Sequence, residues 1–132
     1  MHVKELLSLK NKIVLVTGGS GNYGRCIVEG LGEADATVIS TSRRLEQAEE
    51  TANYFRNKGL DVHGLQADQA DHASIILLTE QILKRFGRLD VFVNNAVSRP
   101  MTGYLAPIEQ FADSMAVNAT GMMDLLREMT GI

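Results

Sequence analysis

Between a short apolar run, Ile13 to Val16, and a stretch of helical periodicity opening near Tyr23, the chain reads Thr17-Gly18-Gly19-Ser20-Gly21-Asn22-Tyr23-Gly24. Gly19, Gly21 and Gly24 fit the pattern G-x-G-x-x-G. A loop of this kind needs glycines for a tight turn, for close approach of backbone to a bound group, and for close packing of helix on strand. The uncapped N–H groups and the positive dipole end of the following helix then face whatever the loop cradles, which favours phosphate. The pattern is weak by itself and strong between a strand and a helix; the competing interpretation is a glycine-rich turn without a ligand.

The rest of the chain repeats this alternation. The spacing predicts helix from Tyr23 to about Ala34, with Cys26, Ile27, Gly30, Leu31 and Ala34 on one stripe. It then predicts strand at Val38 to Thr41, helix carrying Leu45, Ala48, Ala52 and Phe55, and a weaker strand from Leu60 to Ala67. Asp71 is placed to cap a third helix lined by Ile75, Leu78, Ile82 and Phe86, which Gly87 ends. Leu89 to Val93 is a fourth strand, and Pro107 suits the first turn of a last helix running to about Met129. Strand and helix alternating at this rhythm imply an α/β fold: a Rossmann-type, doubly wound parallel sheet of about four strands, in the order 3-2-1-4. The fourth strand is then an apolar edge, and with the last helix it predicts a homo-oligomer.

Composition narrows the classes. A chain of 132 residues with 45% hydrophobic and 22% charged residues suits one globular domain, residues 1–132. A net charge of −3 argues against nucleic acid as a partner. No apolar run approaches the roughly 18 residues of a membrane helix, Met1 to Lys12 has no signal-peptide core, and the one cysteine, Cys26, forms no internal disulfide. These features point to a cytoplasmic protein without a membrane segment. His2, His63 and His72 show no metal-binding spacing, and Cys26 is expected to pack on the buried helical stripe.

The second predicted strand leads into Ser40-Thr41-Ser42-Arg43-Arg44. A site for NAD usually places an acidic residue here to hold the ribose 2′-hydroxyl. None is present; Ser42 stands in its place, followed by Arg43 and Arg44, which suits a 2′-phosphate and predicts NADP(H) over NAD(H). The alternative is that the arginines are solvated charges opening a helix.

Three more features follow in order: Asp68 after the third strand, in Ala67-Asp68-Gln69; Asn94-Asn95-Ala96 after the fourth; and Asn118 in the last helix, in Val117-Asn118-Ala119-Thr120-Gly121. Together with the glycine loop, their order and spacing resemble the short-chain dehydrogenase/reductase family from Leu9 to about Met129. The resemblance implies a dinucleotide site in which Thr17, Gly18, Gly19, Ser20, Gly21, Asn22, Tyr23 and Gly24 hold the pyrophosphate and adjacent ribose. It implies that Asp68 accepts from the adenine amino group with Gln69 beside it, that Asn95 and Ala96 pass close to the adenosine ribose, and that Asn118 is the asparagine of the family's Asn-Ser-Tyr-Lys catalytic set. From the residues alone, a turn pair is the alternative for Asn94 and Asn95, and a structural asparagine bonded to nearby backbone is the alternative for Asn118.

The loop departs from the family's standard T-G-x-x-x-G-x-G at Asn22, and Val97 replaces the usual glycine after Asn-Asn-Ala. It also fits T-G-x-x-G-x-x-G, the spacing of the family's extended branch, which includes nucleotide-sugar epimerases. The serine, tyrosine and lysine of the family's catalytic set are expected beyond Ile132. Tyr54 and Lys58 match a Y-x-x-x-K spacing but lie between the second and third strands, where a coincidence is the expectation. The leading expectation is an NADP(H)-dependent oxidoreductase of an alcohol or ketone. A non-catalytic dinucleotide-binding or dimerising module and an epimerase-like protein are the alternatives.

Overall fold

The computed structural model describes residues 1–132. A short helix α1 (Val3–Leu6) precedes β1 (Ile13–Val16), α2 (Asn22–Glu33), β2 (Thr37–Ser42), α3 (Leu45–Arg56), β3 (Val62–Gln66), α4 (His72–Phe86) and β4 (Val91–Val93). A last helical stretch consists of α5 (Ile108–Met115), a π-helical turn (Ala116–Gly121) and α6 (Met122–Met129). The four strands are parallel and lie in the order β3-β2-β1-β4.

The strands read as unbroken apolar runs because both faces of the sheet are covered. Val14 and Val16 of β1 and Val38 of β2 point to one side, where Val28 of α2 and Ala52 and Phe55 of α3 pack on them. Leu15 and Ile39 point to the other, against Ile75, Leu78 and Ile82 of α4 and Leu125 and Met129 of α6. Each fully buried side chain of this kind contributes about 1.5–3 kcal/mol, so two complete layers hold the sheet from opposite faces. Gly64 lets α3 close on β3: a Cβ there would stand 2.6 Å from the Ala48 backbone.

The register aligns the carboxyl ends of the strands. Val16 pairs with Ser40 and Val93, and Ser42 pairs with Gln66. Thr17, Ser42, Asp68 and Asn95 therefore emerge along the same edge. At the opposite end, Asp90 accepts from the Ile13 N–H at 2.8 Å and from Arg88, and pairs with Lys12. The backbone bond from Ile13 leads the causes that lower the Asp90 pKa.

Three expectations are corrected. Cys26 is exposed; the inward line of α2 runs through Gly24, Val28 and Gly32, because Gly24 must face the loop and so sets the helix phase. The fourth strand is shorter than expected, Val91–Val93 rather than Leu89 to Val93. The last helix is not uniformly α-helical: the π turn Ala116–Gly121 interrupts it, and its buried line runs from Gly121 through Leu125 and Met129.

Candidate functional site

A cleft of about 800 Å³ opens along the carboxyl ends of the strands, where open parallel sheets bind ligands. Its wall includes Thr17, Gly18, Ser20, Gly21, Asn22, Tyr23 and Gly24 of the glycine loop. Ser42, Arg43 and Arg44 follow from the end of β2, Asp68 and Gln69 from the end of β3, and Asn95 and Ala96 from beyond β4. Gly19 and Asn118 are not on that wall.

The glycines divide the work differently from the simple pattern. Gly18 makes the turn, at φ +65°, and a Cβ there would press on Ala96 at 3.0 Å. Gly19 faces the core, where a Cβ would stand 2.1 Å from Ser40 Oγ and 3.1 Å from Val28. At Gly24 the same atom would be 2.2 Å from the Gly18 carbonyl oxygen. Gly21 has room for a side chain. Asn22, at the position of the family's middle glycine, opens α2 in right-handed helical conformation and needs no left-handed backbone.

Gly21 caps α2 without a side-chain hydrogen bond. The N–H groups of Asn22, Tyr23 and Gly24 donate to no backbone carbonyl, and the dipole end of a twelve-residue helix faces the cleft with them. A tight turn, an approach that only glycine permits, and free donors at a helix N-terminus are what a pyrophosphate requires.

The loop is pinned to the end of β4. Thr17 Oγ1 accepts from the N–H groups of Asn95 and Ala96, each at 3.1 Å. Asn95 Nδ2 donates to the carbonyls of Thr17 and Gly18 at 3.0 and 3.1 Å. Both donors of the Asn95 amide are thus engaged in holding the loop. This explains the amide as a brace; the short side chain of Ala96 leaves space for the turn at Gly18.

At the β2 end, Arg43 and Arg44 are exposed. The Ser42 hydroxyl donates to Gln47 Oε1 at 3.1 Å. The Arg43 carbonyl accepts from Gln66 Nε2 at 3.0 Å, which fixes the backbone below the two guanidinium groups. Near the β3 end, the Asp68 N–H donates to Ser74 Oγ, and Asp68 Oδ1 accepts from the Ala70 N–H. Asp68 Oδ2 makes no such bond. Asn118 closes a two-point pair with the backbone of Ser98: its Oδ1 accepts from the Ser98 N–H at 2.8 Å and its Nδ2 donates to the Ser98 carbonyl at 2.7 Å.

Several wall residues were not expected from the sequence, among them Gln47 and Ser98. Gln47 sits one helical turn from Arg43 on α3, which could have flagged it. Ser98 and Val117 meet only through the tertiary fold. Tyr54 on α3 and Lys58 in the turn after it lie outside the cleft wall. Lys58 Nζ pairs with Glu29 at 2.6 Å, and Arg25 and Lys58 both approach the Tyr54 ring, at 4.5 and 4.8 Å from its centroid. Hydrogen bonding to Glu29, then to Tyr54, raises the Lys58 pKa. This pair joins α2 to the turn after α3. No group of three or more His, Cys, Asp or Glu side chains is gathered closely enough to hold a metal ion, and no helix is long and apolar enough to cross a membrane.

Comparison with known proteins bears on the whole arrangement. The family described as short chain dehydrogenase matches residues 12–131. A 3-oxoacyl-(acyl-carrier-protein) reductase of Haemophilus influenzae is 36% identical over 122 residues, covering 92% of this chain and 49% of that protein. An NADP-dependent mannitol dehydrogenase of Alternaria alternata is 33% identical over 131 residues, covering 96% and 49%. Among solved structures, the Pseudomonas aeruginosa RhlG/NADP active-site complex superposes with a TM-score of 0.84 at 30% identity, over 98% of this chain and 48% of that one. The chain spans between 37% and 49% of the length of these and other curated relatives it matches. With the match running from β1 to the end of α6 and the glycine loop, the parallel order and the cleft in place, the chain belongs to the short-chain dehydrogenase family.

Proposed function

We propose that the cleft binds NADP(H) and that the protein is an oxidoreductase interconverting an alcohol and a ketone by hydride transfer. The observation that carries this is the junction of β1 and α2: three N–H groups without acceptors, at a helix N-terminus, above a turn in which Gly18 holds φ +65° and a Cβ at Gly24 would stand 2.2 Å from the Gly18 carbonyl oxygen. The pyrophosphate would lie against Ser20 to Gly24. Asp68, with one carboxylate oxygen free, would accept from the adenine amino group. When bound, the nicotinamide supplies the two-electron hydride chemistry; this chain's residues orient the dinucleotide and keep its phosphates paired.

For the 2′-phosphate we assign Arg43 and Arg44, both exposed where β2 ends. Ser42 would act beside them, with its hydroxyl proton directed at Gln47. An acidic residue, which would repel the phosphate, is absent there. The NADP named for the mannitol dehydrogenase and for the RhlG complex is consistent with this choice. Asn118 would serve the chemistry by holding Ser98 and its own helical turn in place beside the cleft, through both ends of its amide. The remaining parts of the proposal are a cytoplasmic location and a homo-oligomer formed through the β4 edge and the last helix.

Calorimetric titration of the chain with NADPH and then NADH tests the central claim. Saturable binding that favours NADPH is expected. A folded chain that binds neither would overturn it.

A further inference from the structure

Gln69 stands out in the cleft wall. Its side chain is 6% exposed, its Nε2 donates to the Val117 carbonyl at 3.0 Å, and its Oε1 has no donor at all. Buried amides normally satisfy both ends, so the single bond to Val117 must offset an unpaired oxygen. Val117 lies in the π-helical turn Ala116–Gly121. A π turn carries an extra residue and takes carbonyls out of the ordinary helical ladder. The Val117 carbonyl that Gln69 reaches belongs to this turn.

The contact is made on two levels. Below the side chain, Gly121 of the same turn lies against the Gln69 carbonyl so closely that a Cβ would stand 2.0 Å from it. On its far side the turn is held by the Asn118 amide on Ser98. The π turn is therefore gripped between the loop after β3 and the loop after β4. Asp68, which faces the cleft, is the residue preceding Gln69.

We propose that Gln69 is a positioning residue: it ties the turn that carries Asp68 to the π turn that carries Asn118, so that filling the cleft at Asp68 stiffens the last helix. A π turn suits this role because such turns are rare, single-turn interruptions of α-helix that recur at functional sites. The ligand arm of this proposal rests on the cleft being a dinucleotide site; the Gln69 tether does not.

Amide hydrogen exchange across 116–122 tests both, using the chain, Gln69→Met and Gln69→Glu. Methionine keeps the length and removes the donor. Glutamate also removes it and sets a carboxylate against the Val117 carbonyl. In the absence of ligand, Gln69→Met is expected to speed exchange of this segment by roughly five- to tenfold, the scale of one lost hydrogen bond, with β1 and β2 unchanged. Should Gln69→Met fail to fold, Gln69→Glu is read in the same way. NADPH is expected to slow exchange at 116–122 in the unaltered chain and to leave it fast in the variants. Unchanged exchange without ligand overturns the tether. A lower stability with NADPH protection intact reduces Gln69 to a packing residue and overturns the coupling. If the unaltered chain binds no NADPH, the dinucleotide reading fails and with it the coupling, while the ligand-free comparison still decides the tether.

Discussion

Arg43 is the residue on which cofactor choice should turn. Its guanidinium is exposed at the end of β2, while its carbonyl is held by Gln66, so a substitution changes charge without disturbing backbone. A hydrogen bond to a charged group contributes about 1.5–3 kcal/mol. Arg43→Asp is therefore expected to weaken NADPH binding by about tenfold or more and to keep or improve NADH binding, read by calorimetric titration. Unchanged selectivity would remove Arg43 from the role. Ser40 offers a separate test, one of stability. Its Oγ is fully buried, without a hydrogen-bond partner, and directly under Gly19. Ser40→Ala is expected to raise stability by about 1 kcal/mol, because an unpaired buried hydroxyl carries a desolvation cost of that order. Gly19→Ala should destabilise the chain, and should do so less in the Ser40→Ala background. A urea midpoint that falls in Ser40→Ala, or additive effects in the double variant, would contradict this packing.

At the scale of elements, α4 and α6 are joined at the surface by His72 Nδ1 and Asp124 Oδ2, 2.7 Å apart. The bond to the Asp124 carboxylate, and then its charge, raise the His72 pKa above 6.5, with Glu128 and Asp71 adding to the negative field and desolvation opposing it. A histidine whose folded pKa is raised binds its proton more tightly when folded. Its stabilisation is thus complete below the unfolded value and is lost as pH rises through the raised one. Asp124→Asn should accordingly lower the urea midpoint at acid pH and make little difference well above the folded pKa. A difference that grows with pH would reverse the assignment. The helix ends follow local rules. Asp71 Oδ1 accepts from the Ala73 N–H and Gly87 takes φ +78° at the other end. Asp71→Ala is expected to cost about 1 kcal/mol, measurable by thermal or chemical unfolding. The exception is the last helix, where the Gln69 side chain reaches the Val117 carbonyl and the Asn118 side chain reaches the Ser98 backbone at the π turn.

The whole molecule presents an uneven surface. Two layers cover the sheet, yet β4 has a strand on one side only, and the loop and helix beyond it expose Leu105 at 93%, Ile108 at 70% and Phe111 at 48%. An unpaired strand edge beside apolar side chains favours association. The chain is expected to dimerise or form larger oligomers, and Phe111→Asp to shift it toward monomer. Light scattering at high concentration checks both, and a monomer under those conditions would rule the association out.

Much of this was legible in the residues because it is local or periodic. Continuous apolar strands, helices with one inward line, a cap at Asp71 and a stop at Gly87 each leave a mark within a few positions, and their alternation limits the sheet to a right-handed parallel order. That the loop from Thr17 to Gly24 and the residues Ser42, Arg43, Asp68 and Asn95 gather on one edge was readable in the same way, since strand ends in a parallel sheet converge there. What adjacency in space decides was not legible. Cys26 turned outward because Gly24 had to meet the Gly18 carbonyl. The Asn95 amide was engaged by carbonyls far away in the chain, Asn118 found Ser98, and Gln69 found Val117. A side-chain amide has the same propensity whichever backbone group it meets. Only the packing of the loops after β3 and β4 around one helix determines which group is within reach, and so gives the cleft its shape.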